Sequence, residues 1–209
     1  MKTEEKILAK ALEMFNERGV EYVGLRELAA TLDMRVSNIT YYFPTKDDLV
    51  DRLSLGLNEL NSSVFVHNTQ LTLKGFITML EVVFYNHLTY RCLLLSFVHL
   101  MEQNKRMAAR YKKTQENRYA TLRLNLQTLL DGGYLLVKDE KEIDFLVSTL
   151  TIVIRFWISE AQISFRHLNP EQQIHHYLIL IARLLLPYSS EKGKAEVEQL
   201  IKNMDNTLD

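Results

Sequence analysis

Cysteine is almost absent from this 209-residue chain, since Cys92 is the only one. An intrachain disulfide and a cysteine metal site are therefore both excluded. Proline (3) and glycine (7) are also scarce, so the chain lacks the dense turn signals that an all-β protein needs. Because 47% of the residues are apolar, the chain can bury a core. The sequence thus predicts an all-α protein with long helices and short connections.

The sequence also lacks a long uninterrupted apolar run. Its first residues, MKTEEKILAKALEMF, place charges among the apolar positions, so a secretory signal peptide is not expected. The two most apolar stretches, residues 145–158 and 177–186, contain Arg155 and Arg183 and are too short to cross a bilayer. We therefore expect a cytoplasmic protein without a membrane segment.

Catalytic motifs are lacking as well. The sequence has no His-Glu-x-x-His zinc motif, no Gly-x-Ser-x-Gly elbow and no glycine-rich phosphate loop. His99 with Glu102, and Glu171 with His175, share helix faces, but a di-iron bundle needs a larger set of ligands. Cys92 lies in the apolar segment CLLLSF, which favours a packed thiol over a nucleophile. We expect no enzymatic activity, no metal and no other cofactor.

The first part of the chain is predicted to form four helices joined by short connections. Thr3 is the predicted cap of the first helix, and a second helix begins after Gly24. A third covers about residues 36–43, where Pro44 ends it, and Thr45 caps a fourth. The pattern of helix, short turn and helix is that of a helix-turn-helix motif. Further helices are predicted near 71–90, 92–103, 105–131, 140–164, 170–187 and 190–206.

Residues 35–49, RVSNITYYFPTKDDL, combine hydroxyls, amides, aromatic rings and positive charge. No acidic residue lies between Asp33 and Asp47, which is what a surface that meets phosphate requires. Residues 1–60 as a whole carry eight basic against eleven acidic side chains, and this weighs against DNA binding. The residues alone therefore leave open a compact helical hairpin with aromatic packing. A basic run over residues 105–123 is interpreted as a solvated helix face.

A recognition helix over residues 36–43 would present Asn38, whose amide suits bidentate pairing with adenine. Val36 and the ring of Tyr41 suit a thymine methyl group. Hydroxyl groups, and the ammonium at the start of the fourth helix, suit phosphate oxygens. The residues predicted to contact DNA are Arg26, Arg35, Val36, Ser37, Asn38, Thr40, Tyr41, Tyr42 and Lys46.

These motifs resemble the N-terminal domain of the TetR family of bacterial transcription regulators. LRELAATLDM at 25–34 is similar to the family's Val-Arg-x-Ile-Ala helix. NITYYFPTK at 38–46, followed by DDL, is similar to its Leu-Tyr-x-His-Phe recognition helix and the Lys-x-x-Leu that opens the fourth helix. The resemblance covers about residues 4–55. The family's turn glycine, capping serine and phosphate-binding tyrosine are here Asp33, Arg35 and Thr40.

The resemblance implies a three-helix DNA-binding domain over residues 1–56 and a larger helical domain for ligand binding and dimerisation over 57–209. It implies a homodimeric repressor that binds a palindromic double-stranded DNA operator and responds to a small-molecule effector, apolar or aromatic. Asp33 is expected to adopt positive φ, which aspartate does more readily than most residues. Tyr42 is expected to replace the missing phosphate contact.

Two other classes of function remain open. A helical interaction module could use the N-terminal hairpin to bind a protein, in agreement with the acidic balance of that region. A helical protein could bind a small molecule or lipid without binding DNA. Retention on DNA at moderate salt distinguishes the regulator from both.

The segments 143–158 and 174–186 are apolar on every side of a helix, whereas a helix in a small domain normally exposes one polar face to solvent. Either both lie inside their own chain, or a second copy covers them, which is the simpler explanation. The predicted interface residues are Ile154, Ile158, Tyr177, Leu180, Ile181 and Leu184. The predicted lining of the effector cavity is Phe84, Tyr85, His87, Phe97, Tyr119 and Trp157.

Overall fold

The computed structural model describes residues 2–65 and 70–205. Within those residues the regular structure is helical, apart from an isolated antiparallel bridge between Leu135 and Ser189. The all-α prediction is therefore confirmed. The helices are α1 Thr3–Arg18, α2 Leu25–Thr31, α3 Val36–Tyr42, α4 Lys46–Val64, α5 Leu73–Thr89, α6 Arg91–Leu95, α7 Phe97–Gln103, α8 Lys105–Asp131, α9 Glu140–Ser164, α10 Pro170–Leu185 and α11 Glu191–Asp205. Among these helices, none has the length and apolarity that crossing a membrane would require.

The chain divides into two compact units. The first comprises Met1–Leu60 and Thr89–Lys112, and the second comprises Asn61–Leu88 and Lys113–Asp209. Helix α4 runs without a break through the domain boundary that the sequence predicts after residue 56. That boundary stays a prediction.

The first unit is built around the helix-turn-helix pair α2 and α3. Phe15, Leu28 and Ile39 are almost completely buried, so α1, α2 and α3 share one apolar core. Between α2 and α3 the chain turns at Asp33, whose φ is +53°. Met34 N–H then donates to Ala29 O at 2.9 Å. The expected positive φ at the position of the family's glycine is confirmed.

The capping predictions for α1 and α4 have different outcomes. Helix α1 begins at Thr3 itself, so the prediction of Thr3 as its cap is wrong. The Glu5 carboxylate, inside the first turn, instead accepts from the N–H of Lys2 at 2.9 Å. At α4 the prediction is confirmed, because Asp48 N–H donates to Thr45 Oγ1 at 3.2 Å.

The start of α8 is bonded to the start of α4 within the first unit. The buried Asn104 side chain donates to Asp47 O at 3.0 Å, and Arg110 pairs with Asp51 at 2.7 Å. In the basic run at 105–123, Arg110 is half-buried against this acid of α4, whereas Lys105, Arg106, Lys112 and Lys113 are exposed, as expected for a solvated face.

Cys92, at the start of α6, is buried in the first unit. Its backbone N–H donates to the Asn16 side chain at 3.0 Å. Burial raises the pKa of the Cys92 thiol to about 12. The prediction that Cys92 is packed is confirmed, and its low reactivity stays a prediction.

The second unit has its core on α9 and α10. Helix α10 has Pro170 in its first turn, and Asn169 accepts from Gln172 N–H at 2.9 Å. Helix α11 packs so closely on the α8–α9 connection that a Cβ at Gly193 would lie 2.3 Å from Tyr134 O. The buried residues of α9 are Ile143, Leu146, Val147, Leu150, Trp157, Ile158 and Ala161.

Two predicted helices are divided in the structure. The segment predicted at 92–103 forms α6 and α7, which meet at Ser96. The segment predicted at 170–187 ends as α10 at Leu185, and a 3-10 turn, Leu186–Tyr188, follows because Pro187 cannot continue the α-helical bonding. Residue 206, the predicted end of the last helix, lies outside the described residues.

Candidate nucleic-acid interface and effector site

Helix α3 is held by one face and exposes the other. Ile39 and Phe43, four residues apart, are 0% and 4% exposed and anchor the helix in the core of the first unit. On the opposite side Tyr41 is 80% exposed, and Val36 and Asn38 are exposed as well. The helix can therefore enter a groove without losing its contacts with its own core.

The other predicted DNA contacts differ in how they are engaged. The hydroxyl of Thr40 donates to Ser37 O at 3.4 Å, so it is turned back to its own helix. The rings of Tyr41 and Tyr42 meet edge to face with centroids 5.0 Å apart. Arg35 occupies the N-cap position of α3 and gives that helix no side-chain cap. Exposed as well are Arg26, Arg35, Ser37 and Tyr42.

The first turn of α4 carries its own acidic residues. The Thr45 hydroxyl donates to Asp48 Oδ2 at 2.7 Å, and Arg106 pairs with the same carboxylate. The hydrogen bond from the Thr45 side chain, with a smaller effect of Arg106, lowers the pKa of Asp48 although burial opposes this. A carboxylate thus occupies the positive end of α4, where the sequence favours a phosphate.

Lys46 is engaged with the loop between α1 and α2. Its Nζ donates to Val20 O at 3.0 Å and to Glu21 O at 3.3 Å. An ammonium group has three N–H donors, so two of them are directed at backbone carbonyls. The sequence favours a phosphate partner for this group, and nothing in its pattern indicates these contacts, which depend on how the loop folds.

Three of the predicted effector-lining residues form a buried cluster in the second unit. The rings of Phe84 and Trp157 stack with centroids 4.7 Å apart and planes 12° from parallel. The indole N–H of Trp157 donates to Nδ1 of His87 at 3.2 Å. Tyr177 lies beside Trp157, with the two ring centroids 5.7 Å apart. All four side chains are buried.

The other three predicted residues are not part of that cluster. Tyr85 and Tyr119 are exposed, and the Tyr119 hydroxyl donates to Asp144 at 2.9 Å. Phe97 belongs to the first unit, where its ring meets that of Tyr111 edge to face at 5.0 Å. The structure therefore brings together Phe84, His87 and Trp157 only.

The hydrogen bonds of His87 determine its tautomer. An indole N–H can only donate, so Nδ1 accepts, and in the neutral ring Nε2 carries the proton. Nε2 lies 3.3 Å from the side-chain amide of Asn61. Asn61 must then turn its oxygen to His87 and its NH2 group to Asn86, 3.0 Å away, and the Asn86 amide must turn so that its own oxygen accepts. Burial, assisted by the positive charge of Arg118, lowers the pKa of His87 to about 3.

The buried His87 predicts a loss of stability in acid. The folded protein keeps His87 neutral down to about pH 3, whereas the unfolded chain takes up the proton below about pH 6.5. The free energy of unfolding should therefore be insensitive to His87 above about pH 6.5. Between about pH 6 and pH 4 it should fall by up to about 1.4 kcal/mol per pH unit from this residue.

Urea unfolding at a series of pH values checks this expectation. His87→Gln should be less stable than the parent near neutral pH but should show a shallower decline in acid. His167→Gln, which changes an exposed histidine of the same unit, serves as the matched control and should retain the parental slope. Equal slopes for the parent and His87→Gln would contradict the buried neutral histidine.

The residues predicted for a dimer interface separate into two groups. Ile158, Tyr177 and Ile181 lie in the core of their own chain. This corrects their assignment, since an enclosed side chain offers little surface to a second copy. Ile154 and Leu184 are half-buried, and Leu180 is 47% exposed.

Helix α9 has a second apolar face that sequence reasoning did not assign to the interface. It consists of Phe145, Ile152, Phe156 and Ile163, which are seven, four and seven positions apart and therefore lie on one side of the helix. Ile152 and Ile163 are 61% and 78% exposed. Apolar residues all around the helix signal such a face, but the sequence does not show which side its own chain covers. We call this set, Phe145, Ile152, Phe156 and Ile163 with Leu180 of α10, the apolar stripe.

Two family models match the chain. One, described as bacterial regulatory proteins of the tetR family, matches residues 7–53. The other, described as a bacterial transcriptional repressor, matches residues 58–197, which is more than half of the chain. Among curated relatives, the probable HTH-type transcriptional regulator YttP of Bacillus subtilis (strain 168) is 37% identical over 51 residues. That alignment covers 24% of this chain and 25% of the relative, about a quarter of its length.

Solved structures share the fold of the whole chain. A TetR-family transcriptional regulator from Marinobacter aquaeolei VT8 matches with a TM-score of 0.90 and 21% identity, over 98% of this chain and 99% of the other. SmeT in complex with triclosan matches with a TM-score of 0.64 and 14% identity, over 91% and 93% of the two chains. SmeT is the repressor of the Stenotrophomonas maltophilia multidrug efflux pump SmeDEF.

Proposed function

The chain belongs to the TetR family of bacterial transcriptional regulators, and on that premise we propose that it is a homodimeric repressor whose operator affinity is controlled by a small molecule. Members of this family are DNA-binding proteins rather than enzymes, and this chain is one of them. The operator is a palindromic or nearly palindromic duplex. The proposal implies a cytoplasmic protein, because its DNA target lies there.

The observation that carries this proposal is the open face of α3. A helix anchored by Ile39 and Phe43 keeps its position while its other side enters the major groove. There Asn38 pairs with an adenine, and Val36 and Tyr41 contact thymine methyl groups. The residues proposed to lie along the phosphates are Arg26, Arg35, Ser37, Thr40 and Tyr42.

Dimerisation through the apolar stripe is part of the proposal. Exposed isoleucines on one face of a long helix are unusual in a protein that stays monomeric, since burying such a face against a second copy of the chain is favourable. A two-fold axis would place the same stripe of a second copy opposite it. The two α3 helices would then be about 34–36 Å apart, one turn of DNA, and each would read a half-site.

We propose that the effector is apolar or aromatic and contacts the Phe84–His87–Trp157 cluster. Among the described residues, the Tyr177 hydroxyl next to this cluster is buried and has no hydrogen-bond partner. Such a group is usually satisfied, so a polar atom of a ligand is a suitable partner for it. The triclosan bound by SmeT, a relative in fold, is consistent with an aromatic effector.

Selection from a duplex pool with a random central segment tests the DNA-binding part. The parent protein should select a palindromic sequence, whereas an interaction module or a lipid-binding protein should select none. Asn38→Ala should lose about 1–3 kcal/mol of binding free energy at its cognate base pair and should relax the preference there. Asn203→Ala, at an exposed asparagine of α11, is the control and should select the parental sequence. A parental preference retained by Asn38→Ala would remove the assigned base contact.

A further inference from the structure

The loop between α1 and α2 is fixed at several points. Gly19, with φ of +93°, ends α1 and donates to Phe15 O at 2.9 Å. The side chains of Val20 and Val23 are buried in the core of the first unit. Between them, Tyr22 is 76% exposed, and its ring lies over Gly19, 3.2 Å from where a Cβ would be. The backbone of this loop therefore holds a large aromatic side chain at the surface.

Lys46 bonds this loop to the start of α4, which follows the recognition helix. Its ammonium binds Val20 O and Glu21 O, the two carbonyls that directly precede Tyr22. Along the chain, Lys46 follows the last residue of α3 by four positions. The Lys46 side chain, together with the buried Val20 and Val23, therefore fixes the loop that carries Tyr22.

The acidic neighbour in this loop is directed to another partner. Glu21 accepts hydrogen bonds from its own backbone N–H and from the Ser96 side chain. Burial alone would raise the pKa of Glu21, but these bonds and the charges of His99 and Lys46 lower it. Glu21 is exposed, and its Oε2 and the Tyr22 ring both lie near the position that a Cβ of Gly19 would take, at 3.3 and 3.2 Å. The charges of His99 and Lys46 offset that of this carboxylate in the neighbourhood of Tyr22.

The loop also leads directly into the first helix of the helix-turn-helix. Helix α2 begins at Leu25, three residues after Tyr22. In helix-turn-helix complexes this first helix crosses the DNA backbone while the second lies in the groove. A tyrosine hydroxyl is one of the groups that donate to phosphate oxygens in such complexes. An exposed phenol at the entrance to α2 is suitably placed for that contact.

We propose that Tyr22 is a DNA-backbone contact and that Lys46 acts on DNA binding as the residue that positions it, rather than through its own bond to a phosphate. This inference rests on the proposed placement of α3 in the major groove. It differs from the sequence-based expectation for Lys46, which assigns the ammonium to a phosphate. The two roles differ in how affinity depends on salt, because a bound cation releases counterions and a neutral phenol does not.

Binding to the selected duplex, and to random duplex, is measured for the parent, Tyr22→Phe, Lys46→Met, Lys46→Arg and the double variant Tyr22→Phe/Lys46→Met. Tyr22→Phe should weaken binding to both duplexes about tenfold for each subunit, the size of one hydrogen bond to a charged group, and therefore about a hundredfold for the dimer. Lys46→Met should weaken binding to a similar extent, and Lys46→Arg should restore most of the affinity. The double variant should be no weaker than Lys46→Met. Thermal melting confirms that each variant is folded, and Lys10→Met on α1 is the control for loss of a lysine elsewhere.

The salt dependence decides between the two roles of Lys46. The slope of log affinity against log salt should stay at the parental value in Lys46→Met. A slope smaller by about 1.8, which is about 0.9 for the Lys46 of each subunit, with losses that add up in the double variant, would show that Lys46 itself binds a phosphate and would overturn the proposal. Parental affinity of Tyr22→Phe, which changes only one exposed hydroxyl, would overturn it as well. If Asn38→Ala still shifts the selected sequence in that case, the placement of α3 stands and only the role of the loop is rejected.

Discussion

Replacing Ile152 and Leu180 together by glutamate should convert the protein to a monomer and lower its operator affinity by about a hundredfold or more. Both residues belong to the apolar stripe and are exposed in the single chain. Across a two-fold interface each glutamate would meet a copy of itself or an apolar side chain, so charge would be buried without a partner. In the monomer the same carboxylates are solvated. The monomer therefore becomes the favoured state, and only one half-site can be held at a time.

Sedimentation and operator binding, measured on the same samples, check this prediction. The matched control is Leu124→Glu, which introduces an acid at an exposed leucine of α8 outside the stripe and should leave both properties unchanged. Circular dichroism should show equal helicity for all three proteins, since every changed residue is exposed. A dimer of parental stability in the double variant would reject the stripe as the interface. A monomeric parent that binds its operator tightly would reject dimerisation altogether.

The helical architecture could be read from the sequence because its signals are local. The scarcity of glycine and proline, Pro44 after α3 and the Thr45 cap of α4 each depend on residues that are neighbours along the chain. The positive φ of Asp33 was predicted from the resemblance, because the family's turn glycine stands at this position. The cap of α1 was not predicted correctly, because Thr3 and Glu5 both suit an N-terminus and only the structure shows which residue satisfies the first amides.

The functional surfaces were harder to predict because burial depends on contacts that are distant in sequence. On α10 Ile181 is buried in the core of its own chain whereas Leu180 is exposed, and on α9 Ile158 is buried whereas Ile152 is exposed. Composition alone does not separate these cases. The partners of a charged side chain are equally hard to predict. The motif identifies Lys46, but the carbonyls that it binds, those of Val20 and Glu21, lie 26 and 25 residues away in the sequence.

Phe84→Ala should lower the free energy of unfolding by about 3–5 kcal/mol. Phe84 is completely buried and its ring stacks on Trp157, so alanine would leave a cavity beside the indole. The neighbouring Tyr85→Ala is the matched control, because it removes a ring of similar size from the same helix at a site that is 43% exposed. We expect that control to lose less than about 1 kcal/mol. Comparable losses in the two variants would contradict the packing of this cluster.

The same pair of variants tests whether the cluster receives the effector. Trp157 is the only tryptophan, so its emission reports changes at this site. A screen of apolar aromatic compounds, triclosan among them, should yield a ligand that changes this emission saturably and weakens operator binding by the parent. Linkage then requires operator DNA to weaken binding of that ligand by the same factor, with a coupling free energy of about 1–3 kcal/mol. Phe84→Ala should alter ligand affinity and Tyr85→Ala should not. A ligand that releases DNA without changing the emission of Trp157 would place the effector site away from this cluster, because a ligand bound there would contact the indole or the rings packed on it.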